Sequence, residues 1–520
     1  KREIVLNGGL SVSGLQHIGR LRGEIILVDV VARELEKRGF KARRSLTLYT
    51  QDPWKGKEEQ LSAFGDKGRA SRYKGWPLSR VPDPHGCHGS WVEHYWSDFG
   101  PYIREFSAGD FEVVTTTELY RGKLKEFAAR TVELREEVRR IVNKYRGRRP
   151  YPPTWIPVEP ICSRCGRIDS TEATGVGEDG TVSYRCRNCG NTGRAGLENS
   201  KLNWRIEWVG VWMSLGVSFE PYGKDHATPG GSRDSCNELA RTVYGFEPPE
   251  GEWYEWVAFR VNGSESDMTS SGFVGVTPRE WLEVAHPEVL RFLYLSVHPH
   301  RRIVIDMAEI PDYYEQYYRA ERIYYGQEEG DDDGRLLARS YELSQLREVP
   351  PRPRPQVPYT HAAILAQIVG YDPGEILKRL RRTGHVPGDA TRDEEAWAVE
   401  VVKRAGAWAR RHAPPHLRFE IPEEIPSEAI KAIRDPERLY KLSSLLESIE
   451  EWEEEAIKAA LVGFGKDMGP RERREFYRDF YLAIVGKPSG PRAAPLLALM
   501  DKSWVVRRLR EASRKMVGHA

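Results

Sequence analysis

The sequence predicts an α/β protein in which a parallel nucleotide-binding sheet is interrupted by a metal-bearing insertion and followed by an all-α C-terminal domain. Three observations predict it. The first 49 residues read strand, Gly/Ser turn, helix, strand. Two Cys-x-x-Cys pairs sit 20 residues apart. After Tyr359 the pattern is almost wholly helical, with stripes such as Ile364, Ile368 and Ile376.

Each element follows in order. Glu3-Ile4-Val5-Leu6 reads as a short strand entering a turn at Gly8-Gly9. A helix is predicted from Ile18 to Arg38, because Ile18, Leu21, Ile25, Val28, Ala32 and Leu35 recur at helical spacing and Gly39 stops it. Leu46 to Tyr49 reads as a second strand, and a ligand is expected at the helix start. The domains predicted are 1–106 and 201–330 as two halves of the sheet domain, 107–200 as the insertion, 331–358 as a linker, and 359–520 as the helical domain. The linker reading rests on the acidic run Glu328–Gly334 and the prolines from Pro350 to Pro358.

The 520 residues are 39% hydrophobic and 30% charged, a balance that excludes a disordered chain. With no long apolar run, no leader-like opening and six cysteines, membrane, secreted and fibrous classes are excluded too. The first methionine is Met213, so Lys1 is not taken as a natural beginning. Arginines number 58 against 21 lysines, yet net charge is only +2, so any nucleic-acid surface must be a local patch.

Cys162, Cys165, Cys186 and Cys189 form two knuckles whose thiolates can converge on one structural zinc, with Gly166 and Gly190 allowing the turns. Four filled positions leave none for water, so the ion would hold structure and not catalyse. Cys87 and Cys236 read as ordinary thiols. The turn Asn7–Gly14, followed by Gln16-His17-Ile18-Gly19-Arg20, suits phosphates, because small residues let backbone approach a polyanion. Read alone, it is equally a Gly/Ser turn beside an exposed histidine.

His17-Ile18-Gly19 resembles the HIGH signature of class I aminoacyl-tRNA synthetases, and the wider chain resembles the archaeal-type class I lysyl-tRNA synthetases. The resemblance is carried by Gly9-Leu10-Ser11-Val12-Ser13-Gly14, His17–Arg20, Val81-Pro82-Asp83-Pro84-His85-Gly86-Cys87, Lys201-Leu202-Asn203-Trp204-Arg205-Ile206-Glu207-Trp208 and Gly223-Lys224-Asp225-His226. Their order and intervals match from Glu3 to about Gly326, and the helical C-terminus matches more weakly. What it implies is a cytoplasmic ligase with a Rossmann-type class I catalytic sheet, a zinc insertion and a helical anticodon-binding domain. Such an enzyme joins L-lysine to tRNA(Lys) through lysyl-adenylate, using ATP with Mg2+, and has no membrane partner. Ser13, Gly14, His17, Gly19, Gly223 and Asp225 would bind ATP. Gly9, Ser11, Trp208, Asp225, His226 and Tyr254 would bind lysine, although most of the 15 Trp and 24 Tyr must be core.

The catalytic set implied is His17, Arg20, Met268, Ser270 and Ser271. Here the chain departs from the family, whose KMSKS-type loop carries two lysines. Ser266-Asp267-Met268-Thr269-Ser270-Ser271-Gly272-Phe273 has none, and no lysine occurs between Lys224 and Lys378. Losing that charge costs transition-state stabilisation, for which Arg279, Arg301 or Arg302 could substitute. A paralogue that binds amino acid, ATP or RNA without efficient charging is the alternative, and a purely RNA-binding zinc protein a third. Two basic runs are candidate tRNA contacts: Arg139, Arg140, Lys144, Arg146, Arg148 and Arg149, with no acid among 138–149, and the final helix with Arg507 and Arg508. Trp504 and Trp452 are the aromatic candidates for stacking anticodon bases.

Overall fold

The computed structural model describes residues 3–147, 149–330 and 332–517. The main sheet has four parallel strands. β1 (Ile4–Leu10) pairs with β2 (Ala42–Leu48), which pairs with β3 (Phe111–Thr115); on its other side β1 pairs with the strand Val217–Phe219. The chain thus leaves β1 toward one side and later returns on the other. This is the switch point at which an open parallel sheet leaves a crevice beyond its strand ends.

β1 does not stop at the glycines; it runs through Gly8 and Gly9 to Leu10. At Gly8 a Cβ would overlap the backbone of Glu24, so the glycine lets the following helical segment lie directly on the strand. That segment is not one helix. It is a 3-10 turn (Ile18–Arg20), a π-helical stretch (Arg22–Leu27) and α1 (Val28–Lys37). The wide turn accompanies Arg22, whose buried guanidinium donates to the carbonyls of Glu255, Arg301 and His298 at 2.7, 3.0 and 3.2 Å.

A buried ion triad locks the sheet. Asp29, fully buried, meets Arg44 Nε at 2.9 Å and Arg291 at 3.0 Å, and Arg44 also forks onto Glu36 at 2.8 and 3.0 Å. Arg291, equally buried, donates to the carbonyls of Phe106, Ser344 and Leu343. Asp29→Ala takes from buried Arg291 its carboxylate and leaves Arg44 with Glu36 alone, and is expected to cost about 3–5 kcal/mol in urea unfolding followed by circular dichroism. A loss under about 1 kcal/mol would contradict that account.

The insertion packs helix Lys123–Glu133 against the helix Trp204–Leu215 and helix Arg135–Lys144 against the helix Ser232–Leu239. It also holds an antiparallel three-stranded meander, Thr171–Val176, Val182–Cys186 and Thr192–Ala195. Within the Lys201–Trp208 block, Lys201 and Glu207 are a buried ion pair, and Tyr120 donates to Glu207 at 2.8 Å. Those two residues brace the fold.

Two compact units divide the chain, and the division is not at the expected boundaries. One runs through Trp281 and takes in Leu290–Asp306 and Ser340–Glu348; the other takes Leu282–Val289, Met307–Arg339 and the chain from Val349. The segment read as a linker contains the helix Asp332–Ser344, because Ser340, Tyr341, Ser344 and Gln345 recur on one face and are buried. The second unit is helical, with no strand among its described residues. Trp397, Trp408, Tyr314, Tyr317 and Tyr359 fill its core. No described helix is long and apolar enough to cross a membrane.

Candidate active site and metal centres

The loop beyond β1 and the segment 266–276 interlock. At Gly14 a Cβ would collide with the carbonyl oxygen of Ser270, so only glycine lets the two backbones touch. Ile18 donates its N–H to Val276 O at 2.8 Å, and Tyr294 caps Ile18 O at 3.1 Å. His17 lies between them, 5% exposed. A Cβ on Gly19 would stand 2.9 Å from its Nδ1, and one on Gly275 2.7 Å from its Cβ; Met268 Sδ closes over Gly19. Burial, aided by the Arg20 charge, pushes the His17 imidazole down to about 3, so at neutral pH it carries no charge. Its Nδ1 has no partner among the described residues.

Sequence reasoning took this turn for an exposed histidine or a phosphate site; the histidine is buried. Arg20 pairs with Glu24 at 3.8 Å. Ser13 O accepts from Gln60 at 2.8 Å and Gly14 O from Gln16 at 2.7 Å, which holds the turn in place. Met268 and Ser270 are buried, and Ser270 Oγ also lacks a partner. Two of the three substitute arginines are otherwise engaged: Arg279 faces Asp98 at 3.6 Å, and Arg302 meets Glu265 at 3.3 Å and Asp267 at 2.9 Å. The Arg301 carbonyl accepts from Arg22.

Across the switch point lies a buried acid. Gly9 sits where a Cβ would be 3.5 Å from Glu220 Oε1 and 3.0 Å from the Tyr49 ring. Glu220 is buried and accepts from Trp208 Nε1 at 2.7 Å, Asn7 at 2.8 Å and Trp212 at 3.2 Å. Burial raises the Glu220 carboxyl, while these donors and Arg233 oppose the rise. Trp208 and His226 approach with ring centroids 4.9 Å apart, and His226 shares a 2.8 Å bond with Ser232.

Asp225, about half exposed, lies 3.5 Å from His226 Nε2. Gly223 leads into it, and Lys224 pairs with Glu255 at 2.6 Å. Tyr254 is buried and donates to Glu24 at 2.7 Å, a carboxyl that burial also raises. Ser11 lies one residue beyond β1. With His226 against the Trp208 ring, Gly9 and Trp208 therefore meet at Glu220, a residue that motif reading missed. Its signal was its place, directly after a strand whose end faces the crevice.

The four cysteines converge. Cys162 and Cys189 sulfurs are 3.6 Å apart, Cys165 and Cys186 sulfurs 3.7 Å, and all four lie within 4.8 Å. A tetrahedron with zinc–sulfur bonds of about 2.3 Å has edges of about 3.8 Å, so the set fits zinc, whereas a disulfide needs about 2.05 Å. Cys87 is not an ordinary thiol in isolation. Its Sγ stands 3.1 Å from His88 Nδ1 and 3.3 Å from His94 Nδ1, and His94 Nδ1 is 3.1 Å from Asp83 Oδ1. Asp83, Cys87, His88 and His94 place one ligand atom each within 4.8 Å, a mixed donor set suited to a second zinc. The spacing Asp-x3-Cys-His-x5-His was the available signal. Cys236 is buried, its thiol donating to the Arg205 carbonyl at 3.3 Å.

The basic runs are less free than their composition suggests. Arg139 is bound to Glu136 and Lys144 to Glu238, and Arg146 lies 3.7 Å over the Tyr151 ring. Arg140 and Arg149 are exposed; Arg148 lies outside the described residues. Arg507 is exposed, but Arg508 is buried and donates to Ala483, Glu423 and Pro422 carbonyls at 3.1, 2.8 and 2.7 Å. It is a brace, because each guanidinium donor that reaches a buried carbonyl is unavailable to RNA. Trp452 likewise spends its N–H on Leu497 and Met500 carbonyls, and Trp504 is half-buried beneath Arg508.

Comparison with known proteins gives the family. The family model described as tRNA synthetases class I (K) matches residues 1–347, and an anticodon binding domain matches 416–513. A lysine–tRNA ligase of Aeropyrum pernix is 61% identical, over 100% of this chain and 96% of its own length. One from Pyrococcus horikoshii is 31% identical over 98% and 96%. Among solved structures, a glutamate tRNA ligase from Elizabethkingia meningosepticum aligns with 98% of this chain and 99% of its own at a TM-score of 0.36 and 14% identity. The family match and the full-length relatives decide the matter: the chain belongs to the class I (K) tRNA synthetases.

Proposed function

We propose that the protein is an ATP-dependent lysine–tRNA ligase. The observation that carries the reading is the interlocking of the His17 turn with the 266–276 segment beside buried Glu220. A lysine carboxylate oxygen attacks the α-phosphorus of ATP, the bond to the β-phosphate breaks, and pyrophosphate leaves with the electron pair. A terminal ribose hydroxyl of tRNA(Lys) then attacks the carbonyl carbon, and AMP leaves. No covalent nucleophile is required, so the work is positioning and charge stabilisation.

The turn Ser13–Gly19 and Gly223–Asp225 hold the nucleotide, which is taken as its Mg2+ complex. Gly9, Ser11, Trp208, His226 and Tyr254 enclose lysine. Its ammonium calls for a buried counter-charge, which Glu220 supplies at depth with Asp225 nearer solvent. Cys162, Cys165, Cys186 and Cys189 would hold a zinc that cross-links the insertion, and Asp83, Cys87, His88 and His94 would hold a second. Arg140, Arg149 and Arg507, exposed in the two basic runs, contact tRNA, and the helical domain from 359 reads its anticodon.

Incubated with ATP, labelled lysine and total archaeal tRNA, the protein is expected to charge tRNA with lysine. Binding of lysine and ATP without charging would overturn the ligase reading and select the degenerate paralogue.

A further inference from the structure

We propose that Lys57 supplies the cation that the 266–276 segment lacks, and that its ammonium stabilises the departing pyrophosphate during lysine activation. The inference rests on the ligase reading above. It begins with a shortage. When the bond from the α-phosphorus to the β-phosphate breaks, its electron pair moves onto pyrophosphate, and that growing charge needs a donor cation at the phosphate turn. The segment facing the turn carries no lysine, Lys224 is held by Glu255, and Arg279 and Arg302 face acids.

Lys57 arrives from a different part of the chain. Its Nζ donates to Ser271 Oγ at 2.9 Å, next to the Ser270 carbonyl on which Gly14 rests. Its backbone is fixed to the same place. The N–H of Lys57 bonds to Gln60 Oε1 at 2.9 Å, while Gln60 Nε2 donates to Ser13 O at 2.8 Å. Gln60 is fully buried, so one rigid amide ties the root of Lys57 to the phosphate turn. The ammonium therefore lies where residues 13–14 and 270–271 meet.

Its charge is also unspent. No carboxylate pairs with Lys57 among the described residues, and neighbouring Glu58 is engaged by Lys67. A serine hydroxyl is a weak partner that a phosphate oxygen readily displaces. The exposed four-carbon stem lets the ammonium follow charge as it moves from the α–β bridge to the leaving group.

The test uses the full-length protein. In Lys57→Ala, lysine-dependent ATP–pyrophosphate exchange is expected to fall about 100-fold or more in kcat, with the KM for lysine within about threefold of wild type. Transfer to tRNA from preformed lysyl-adenylate should be unchanged, since pyrophosphate has already left. Lys57→Ala combined with Ser271→Lys, which returns a lysine to the segment, should recover about tenfold or more of the exchange. Exchange near the wild-type rate in Lys57→Ala overturns the proposal. So does an equal loss in the transfer step, or no recovery in the double variant. Exchange absent from the wild-type protein itself overturns the ligase reading, and this proposal with it.

Discussion

Lysine-dependent ATP–pyrophosphate exchange falls about 100- to 1000-fold in His17→Ala, the size of effect seen when one preorganised donor to developing charge is removed. His17 is buried against Gly19, Gly275 and Met268, so its ring cannot swing away and its unpartnered Nδ1 is held ready. The imidazole is uncharged at neutral pH, because burial holds it down to about 3. That also fixes a pH dependence. An ordinary histidine protonates near 6.5, so the unfolded chain gains a proton that the folded state refuses. The stability from this group is whole above pH 6.5 and is lost as pH falls toward 3. His17→Asn, which keeps a donor without the titration, should lose stability less steeply over that acid range in urea melts. His17→Ala with wild-type exchange would show that the turn does not handle phosphate.

The second large effect belongs to the cysteines. Cys186→Ser is expected to release a bound zinc and to expose residues 162–195 to protease, while the four-stranded sheet survives. The cluster around the sulfurs consists of Cys162, Tyr184 and Cys186, with Cys165, Cys189 and Ala195 packed against it, while Val182 and Ala173 of the meander join the larger insertion core. So small a cluster makes the two knuckles depend on what bridges the sulfurs, and metal binding is worth about 10 kcal/mol or more in small zinc modules. The module is joined to the rest of its unit by Trp76 Nε1 to Cys165 O and Ile168 N to Gly75 O, both 2.7 Å. Its loss should therefore lower tRNA charging more than lysine activation. Unchanged zinc content and protease resistance in Cys186→Ser would sink this account.

The parts legible in the sequence share one property: they are local. A Cys-x-x-Cys knuckle and a Gly/Ser turn before a helix are set by residues a few positions apart, so spacing suffices. Glu220 and Glu24 are single acids without a pattern. Their meaning arises only when β1 pairs with Val217–Phe219 and Tyr254 reaches Glu24, contacts made over more than 200 residues. Asp83, Cys87, His88 and His94 were missed because three ligand types hide a spacing that four cysteines would have announced. Arg508 misled for the converse reason. Composition shows that a helix is basic, but only packing shows which arginine turns inward.

The Asp29 triad also sets an order of assembly. Arg44 emerges from the ribosome just after Asp29, but Arg291 emerges on the order of ten to fifty seconds later at about 5–20 residues per second. The segment 266–276, which completes the phosphate turn, belongs to the same late stretch. A nascent chain therefore passes through a stage in which the first strands are paired, one face of Asp29 is still open, and no nucleotide site exists. Synthesis itself withholds the second guanidinium of Asp29, and the backbone on which Gly14 rests, until that late stretch has arrived.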